Sequence, residues 1–281
     1  MMSTQEPLKV LSLFDGISVA RQAFADLKVE VDYYSSEIDP YCIRISENNW
    51  PDIYNCGDVR NISSRDFPFK IDILIGGSPC QGFSLQGLQK GLEDPRSALV
   101  TDFIRLKNEL SPRYFILENT RMNKECKKFI SEALGVLPIE INSLQFVPQS
   151  RNRLYWTNLP ADIPNTKITW NLEFEDGYRP GVTRKGPPRV VKFTDYFGCL
   201  TASYYKGIRA DGRPLLTKVE GEFDQVKDQI RMLTPEECER LQGLPIGYTE
   251  GVSNTQRYKA LGNAFTLPVI KHLLSSNSTI L

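Results

Sequence analysis

The 281-residue sequence predicts an α/β fold, a doubly wound and mostly parallel sheet joined to a second, smaller, loop-rich domain. Three observations predict it. Short apolar runs alternate with segments of helical spacing over roughly the first 150 residues. Polar residues recur at the ends of those runs. After Trp156 the alternation gives way to Pro, Gly, Thr and basic residues. The length suits one large domain or a large domain carrying a smaller one.

Each element follows from local pattern. Val10-Leu11-Ser12-Leu13-Phe14 is an apolar run stopped by Asp15-Gly16, the signature of a buried strand and a turn. Ala20, Phe24 and Leu27 then recur at helical spacing. Val31 to Ser36 reads as a second strand ending at Glu37, and Ile43 and Ile45 belong to the next helix. Asp72-Ile73-Leu74-Ile75 runs into Gly76-Gly77 as a third strand. Leu99, Phe103, Ile104 and Leu106 mark a helix, and Tyr114-Phe115-Ile116-Leu117 a strand ending at Glu118-Asn119. Strands separated by helices give a mostly parallel sheet, whose ligands bind beyond the carboxyl ends of the strands. Further on, Thr234-Pro235-Glu236-Glu237 carries an N-cap, a proline at the first helical position and a capping box. The apolar stretch from Phe265 to Leu274 returns to the main core.

Composition narrows the function. Lys+Arg and Asp+Glu balance at 34 each, so the protein does not hold nucleic acid by bulk charge. The excess is local: between Tyr178 and Arg213 eight basic residues meet two acidic ones, net +6, interleaved with Tyr178, Phe193, Tyr196, Phe197, Tyr204 and Tyr205. Cations among aromatics suit a phosphate backbone and unstacked bases, although a solvated basic surface reads the same way. His272 is the one histidine, which excludes most His-based metal sites and triads. The six cysteines include no pair closer than 14 residues, so neither a zinc cluster nor a disulfide framework is expected. No stretch approaches the ~18 apolar residues of a membrane span, and the first residues are not a signal peptide.

Chemistry concentrates at strand ends. Gly76-Gly77-Ser78-Pro79-Cys80-Gln81-Gly82 directly follows a strand, so a thiol stands beside glycines that admit a ligand. Glu118-Asn119 supplies a carboxyl group, and Gln149-Ser150-Arg151-Asn152-Arg153 two guanidiniums. Taken singly, Cys80 reads as a buried small residue, Glu118 as a helix-capping strand end and the arginines as a solvated turn. Together they fit nucleophilic attack on a polar heterocycle.

In this order the residues resemble the DNA (cytosine-5)-methyltransferase family, over almost the whole chain from Lys9 to about Leu274. Phe14-Asp15-Gly16 resembles its first cofactor motif, Glu37 the ribose-holding acid and Gly57-Asp58-Val59 the adenine motif. Pro79-Cys80-Gln81, Glu118-Asn119-Thr120 and Gln149-x-Arg151-x-Arg153 match the nucleophile, Glu-Asn-Val and Gln-x-Arg-x-Arg motifs. Arg231 to Glu237 with Leu241 to Pro245 resembles the motif supporting the recognition domain, and Leu261-Gly262-Asn263-Ala264 the final one. Phe14-Asp15-Gly16-Ile17 and the stretch around Gly247-Tyr248-Thr249 lean toward animal de novo enzymes and their phage or bacterial relatives. The departures are Ser18 for a common Gly, Thr120 for Val, and Ala264-Phe265 for Ser-Val.

The resemblance implies a Rossmann-like, S-adenosylmethionine-dependent sheet over 1–158 plus 256–281 and a target-recognition domain over 159–255. It implies that Cys80 adds to carbon 6 of a flipped-out cytosine in double-stranded DNA, that Glu118 holds ring nitrogen 3 and the amine, and that Arg153 with Arg151 supports the base. Carbon 5 then takes the methyl group, and proton loss expels the thiolate. The cofactor pocket is expected from Phe14, Asp15, Gly16, Ile17, Glu37, Ile38, Asp58, Val59, Pro79, Leu99, Asn263 and Ala264. DNA contacts are expected from Gln81, Phe83, Ser84 and Gln86 on a closing loop, and from Thr201, Tyr204, Lys206 and Arg209. The implied enzyme acts as a monomer on DNA, in the cytoplasm of a bacterial or phage-infected cell or in a eukaryotic nucleus, with or without a restriction enzyme. Two alternatives are a tRNA cytosine-5 methyltransferase and an inactive DNA-binding homologue.

Overall fold

The near-continuous apolar runs of the first half form a parallel sheet. The computed structural model describes residues 6–78, 98–161, 163, 168, 170, 172, 174–184, 189–208, 213–277 and 280. Its first unit comprises Met1–Ile141, Asn152–Ile163 and Val269–Leu281. In chain order the elements are β1 (Leu8–Leu13), α1 (Val19–Asp26), β2 (Val31–Ser36), α2 (Pro40–Asn49), β3 (Tyr54–Asn55) and β4 (Ile73–Gly77). Then come α3 (Ala98–Leu110), β5 (Tyr114–Asn119), α4 (Lys124–Leu134), β6 (Ile139–Asn142) and β7 (Asn152–Thr157). The strand order is β3-β2-β1-β4-β5-β7-β6. The pairings β2–β3, β1–β2, β1–β4 and β4–β5 are parallel, whereas β5–β7 is antiparallel.

Burial explains the runs. Val10 to Leu13 and Ile73 to Gly76 are buried without alternation, so both faces of the central strands are covered. Leu11, Leu13, Leu74, Phe103, Leu117 and Trp156 share one core. Gly76 lets α3 approach: a Cβ there would stand 2.8 Å from the Phe103 ring. Asp39 caps α2 by accepting from the Tyr41 amide at 3.0 Å, with Pro40 at the first helical position.

The second unit comprises Asn142–Arg151 and Pro164–Pro268. The expected loop-rich region instead carries a five-stranded antiparallel sheet. Its strands are β8 (Arg179–Arg184), β9 (Val190–Phe193), β10 (Pro214–Thr217), β11 (Gly221–Glu222) and β12 (Ile230–Arg231), in the order β11-β9-β8-β10-β12. Its strands are short and its core small, with Val191, Leu215 and Val226 at the centre, so periodicity alone does not reveal it. Among its described residues the unit also carries the α-helices α5 (Phe223–Val226), α6 (Pro235–Gln242) and α7 (Asn254–Asn263). The capping box of α6 is present, with Thr234 Oγ1 accepting from the Glu237 amide and the Glu237 carboxylate from the Thr234 amide. Wholly buried Glu239 accepts from the Gly247 and Thr249 amides at 2.7 and 2.8 Å and pairs with Arg257 at 3.0 Å. The expected boundaries shift: 142–151 and 256–268 pack with this unit rather than with the first. The C-terminal helix Leu267–Ser275 joins the first unit from Val269 onward, as its apolar pattern predicts.

Gly262 in α7 is fixed by contact. A Cβ there would lie 2.1 Å from the Thr201 carbonyl carbon and 2.3 Å from the Ala202 nitrogen, both backbone atoms. Gly262→Ala is therefore expected to lower unfolding stability by about 3 kcal/mol or more, the upper range of overpacking costs, in denaturant titration. A variant as stable as the parent contradicts this packing.

Candidate active site

The strand order reverses between β1 and β4, and such a switch point opens a crevice beyond the carboxyl ends of the strands. Asp15 follows β1, Glu37 follows β2, Ser78 follows β4, and Glu118 and Asn119 close β5. These polar residues thus stand on four strands at one end of one sheet.

The loop after β1 is wound tightly. Phe14, Gly16 and Ser18 all have left-handed φ, at 55°, 60° and 56°. For Phe and Ser this costs on the order of 1–2 kcal/mol each. Hydrogen bonds hold the turn: the Asp15 amide donates to Ser36 O at 3.1 Å and the Ser18 amide to Asp15 O at 3.1 Å. The Asp15 carboxylate is 5% exposed. Its Oδ1 accepts from the Tyr33 hydroxyl at 2.7 Å and its Oδ2 from the Ser18 hydroxyl. Burial pushes its pKa up to about 6, while the Ser18 and Tyr33 hydroxyls draw it back and the Glu37 charge adds to the rise. The Glu37 carboxylate accepts from the Gly16, Ile38 and Asp39 amides, each at 2.8 Å.

Gly16 faces open space, because a Cβ there would meet no protein atom within 4 Å. Ile38 stands 66% exposed beside Glu37, an apolar side chain that the protein itself leaves uncovered. Asp58 caps the turn Val59–Asn61 by accepting from the Arg60 amide at 3.0 Å. The Arg60 guanidinium beside it lowers its pKa. Phe14 and Leu99 are half-buried against the core. Two expectations need correction: Ile17 and Val59, read as pocket residues, have side chains 1% and 4% exposed. Val59 follows the cap residue Asp58 at its turn, and Ile17 follows Gly16 in the loop after β1.

At β5 the geometry is an ion pair. Glu118 lies opposite Tyr155 in the β5–β7 ladder, and Arg153, two residues along β7, reaches it diagonally with Nε 2.8 Å from Oε1. Both side chains are largely buried. Glu118 also lies opposite Gly77, the last residue of β4. Buried Asn119 donates to Ser78 Oγ at 2.9 Å, fixing the end of β4. That role was not read from the sequence, although adjacency to Glu118 at a strand end pointed to it.

Arg151, expected beside Glu118, is instead a brace within the second unit. Its guanidinium is buried and donates to Leu200 O and Ala264 O at 2.9 Å and to Gly262 O at 3.2 Å. Gln149 and Gln242, also buried, extend the brace. Gln149 accepts from the Leu200 amide at 2.9 Å and donates to Leu241 O at 2.9 Å, and Gln242 donates to Leu261 O at 2.6 Å. Asn263 is exposed and Ala264 buried in this unit. Tyr204, expected to touch DNA, is corrected as well. It is 1% exposed, donates to Pro214 O at 3.0 Å and accepts from the Leu233 amide at 2.9 Å. Its neighbour Tyr205 is the exposed aromatic, with Lys206 5.7 Å from its ring centre, and Thr201 is exposed nearby. Pro79, Cys80, Gln81, Phe83, Ser84, Gln86 and Arg209 lie outside the described residues.

Comparison with known proteins identifies the family. The chain belongs to the C-5 cytosine-specific DNA methylase family, matching it over residues 8–179 and 189–278. It is therefore a DNA cytosine-5 methyltransferase that uses S-adenosylmethionine. Type II methyltransferase M1.ScrFI of Lactococcus lactis subsp. cremoris is 29% identical, covering 93% of this chain and 76% of its own length. M.NlaX of Neisseria lactamica is also 29% identical, covering 94% of each. An orphan methyltransferase of Bacillus phage SPR is 32% identical over 66% of this chain and 44% of its own length. Among solved structures, Entamoeba histolytica methyltransferase EhMeth superposes with TM-score 0.75 at 18% identity, covering 97% of this chain and 98% of its own. A Spodoptera frugiperda DNMT2 variant gives 0.70 at 18% identity, covering 96% and 99%.

The crevice fits that cofactor in kind. Glu37 Oε2, which accepts from the Gly16 amide alone, keeps acceptor capacity for a ribose hydroxyl, exposed Ile38 offers an apolar wall, and Gly16 leaves room for close approach. The Asp15 carboxyl carries a stability consequence. With its folded-state pKa raised from 3.8 to about 6, its favourable contribution is complete below about pH 4 and is lost as pH rises through about 6. Relative to Asp15→Asn, the wild type is expected to lose on the order of 3 kcal/mol between those limits in urea titrations. Parallel pH profiles of the two proteins contradict the shift.

Proposed function

We propose that the enzyme methylates carbon 5 of a cytosine extruded from duplex DNA, with Cys80 as the nucleophile and the Glu118–Arg153 pair as the base-holding element. The observation that carries the reading is that pair: a buried carboxylate fixed by a guanidinium at 2.8 Å, on the strand end opposite Gly77. Cys80 follows Gly77 by three residues along the chain. Arg153 holds the Glu118 carboxyl in one orientation, which leaves it free to accept from the exocyclic amine and, in its protonated form, to donate to ring nitrogen 3.

The Cys80 thiolate forms a bond to carbon 6, the electron pair of the 5,6 double bond moves to carbon 5, and a proton donated by the Glu118 carboxyl to ring nitrogen 3 neutralises the charge that develops. S-adenosylmethionine, when bound, supplies an electrophilic methyl group to carbon 5. Water acting as the base then takes the carbon-5 proton, the double bond re-forms as the carbon–sulfur bond breaks and the thiolate leaves, and nitrogen 3 returns its proton to Glu118. An ordinary thiol of pKa about 8.5 is only a few per cent ionised at neutral pH, so local activation matters. Burial pushes the Cys56 thiol up to about 11 and raises the Cys238 thiol well above its ordinary value, which makes both poor nucleophiles. Exposed Thr201, Tyr205 and Lys206 are offered as DNA contacts, and the enzyme as a soluble monomer on its substrate.

Transfer of tritiated methyl groups to duplex DNA and to tRNA tests the reading. The expected result is label in DNA cytosine carbon 5, none with Cys80→Ser, and kcat lower by about 100-fold or more with Glu118→Gln. Label in tRNA alone overturns the substrate, and a fully active Cys80→Ser overturns the covalent route.

A further inference from the structure

The edge strand β3 is only two residues long, yet its last side chain reaches past its neighbour's end. Asn55 lies opposite Ser35 in the parallel β2–β3 ladder, two residues short of Glu37. Its carboxamide closes that gap. Asn55 Oδ1 accepts from the Glu37 amide at 3.3 Å and from the Gly57 amide at 3.0 Å, and Asn55 Nδ2 donates to Glu37 O at 3.2 Å. The partners fix the orientation of the carboxamide, because its oxygen meets two N–H groups and its nitrogen a carbonyl. One side chain thus holds both backbone polar groups of Glu37 and, at the same time, the first residue of the turn that carries Asp58. Ser36 Oγ adds a second tie by donating to Gly57 O at 2.7 Å. Both joined segments border open space. Gly57 has a left-handed φ of 78°, and a Cβ there, as at Gly16, would meet no protein atom within 4 Å. Ile38, next to Glu37, is exposed. The Gly16, Ile38 and Asp39 amides aim the Glu37 carboxylate within its own turn and toward the loop after β1. Asn55 sets that turn against the one beginning at Gly57.

We propose that Asn55 is a positioning residue for the nucleoside half of the cofactor. It fixes the spacing between the Glu37 carboxylate, which meets the ribose, and the Gly57–Asp58 turn, which meets the adenine. The inference rests on the reading of this crevice as the cofactor site. Ribose and adenine are rigid rings joined by one bond, so both contacts form together only if the two protein segments keep one spacing. A hydrogen bond to a carboxylate is directional and loses strength over a few tenths of an ångström. Releasing the Glu37 backbone therefore weakens binding even though every group that touches the cofactor is still present. Asn55 acts through Glu37 and needs no contact of its own with the ligand.

A double-mutant cycle, read by calorimetric titration of the full chain with S-adenosylhomocysteine, tests this. Glu37→Gln is expected to weaken binding about tenfold or more, as loss of a charge-assisted hydrogen bond does. Asn55→Ala is expected to weaken it about fivefold in the parent and less than about twofold once Glu37→Gln is present. A residue that only supports the fold weakens binding by the same factor in both backgrounds. In steady state Asn55→Ala is expected to raise KM for S-adenosylmethionine while kcat stays within about twofold and KM for DNA is unchanged. Asn55→Asp keeps the acceptor for the Glu37 and Gly57 amides but turns an oxygen toward Glu37 O. It is expected to weaken binding at least as much, and it serves if Asn55→Ala does not fold. Wild-type affinity in both Asn55 variants, or equal factors in the two backgrounds, overturns the inference alone. Wild-type affinity in Glu37→Gln, or no binding by the parent protein, overturns the cofactor-site reading and the inference with it.

Discussion

The parallel pairing of β1 with β4 is the constraint on which the rest depends. From β1 the chain runs outward to β2 and β3, then returns to start β4 on the other side. Loops leaving the carboxyl ends of these two strands therefore diverge, and the space between them cannot be filled by either. Asp15 and Gly16 border it from β1, Glu37 from β2, Ser78 from β4 and Glu118 from β5. The buried runs of Val10–Leu13 and Ile73–Gly76 make this register hard to slip, because both faces of these strands are packed. Rigid strands thus fix the groups that would meet a methyl donor and a base.

Local cost is concentrated beside that crevice. Two non-glycine residues, Phe14 and Ser18, adopt left-handed backbone within five positions. Where the family resemblance leads one to expect glycine, Ser18 accepts the strain and adds a hydroxyl that bonds Asp15 and Ser46. Asp15 in turn is deprived of solvent and held by Tyr33. Strain, burial and a shifted carboxyl thus coincide at one loop, the combination that functional sites show more often than packing sites do.

Much of the first unit, and one helix of the second, was legible because the signals are local. Val31–Ser36 is a strand between the limits that its composition suggests, and the α6 capping box is made by Thr234 and Glu237. Glu118 stands at a strand end paired to a guanidinium. What escaped depends on direction and on long-range packing. Arg151 and Arg153 are two residues apart, yet one braces carbonyls of the second unit and the other faces Glu118, which nothing in their spacing decides. Tyr204 and Tyr205 are adjacent aromatics in a basic stretch, and only the fold buries the first. The antiparallel sheet of the second unit is built from strands of two to six residues, too short to impose a period. Gln149 and Gln242 are far apart in the chain, and their shared role exists only once the brace has formed.

The proposed reaction requires Cys80, three residues beyond Gly77 in the chain, to add to a base held by Glu118 and Arg153. Incubation with S-adenosylmethionine and duplex DNA carrying 5-fluorocytosine at the methylated position tests it most directly. Fluorine at carbon 5 cannot leave as a proton does, so the thiolate that added to carbon 6 is not expelled. The account predicts a covalent protein–DNA complex that resists denaturation and maps by peptide mass to Cys80. Absence of the complex from a protein that methylates ordinary DNA, or an equal yield with Cys80→Ser, would contradict it.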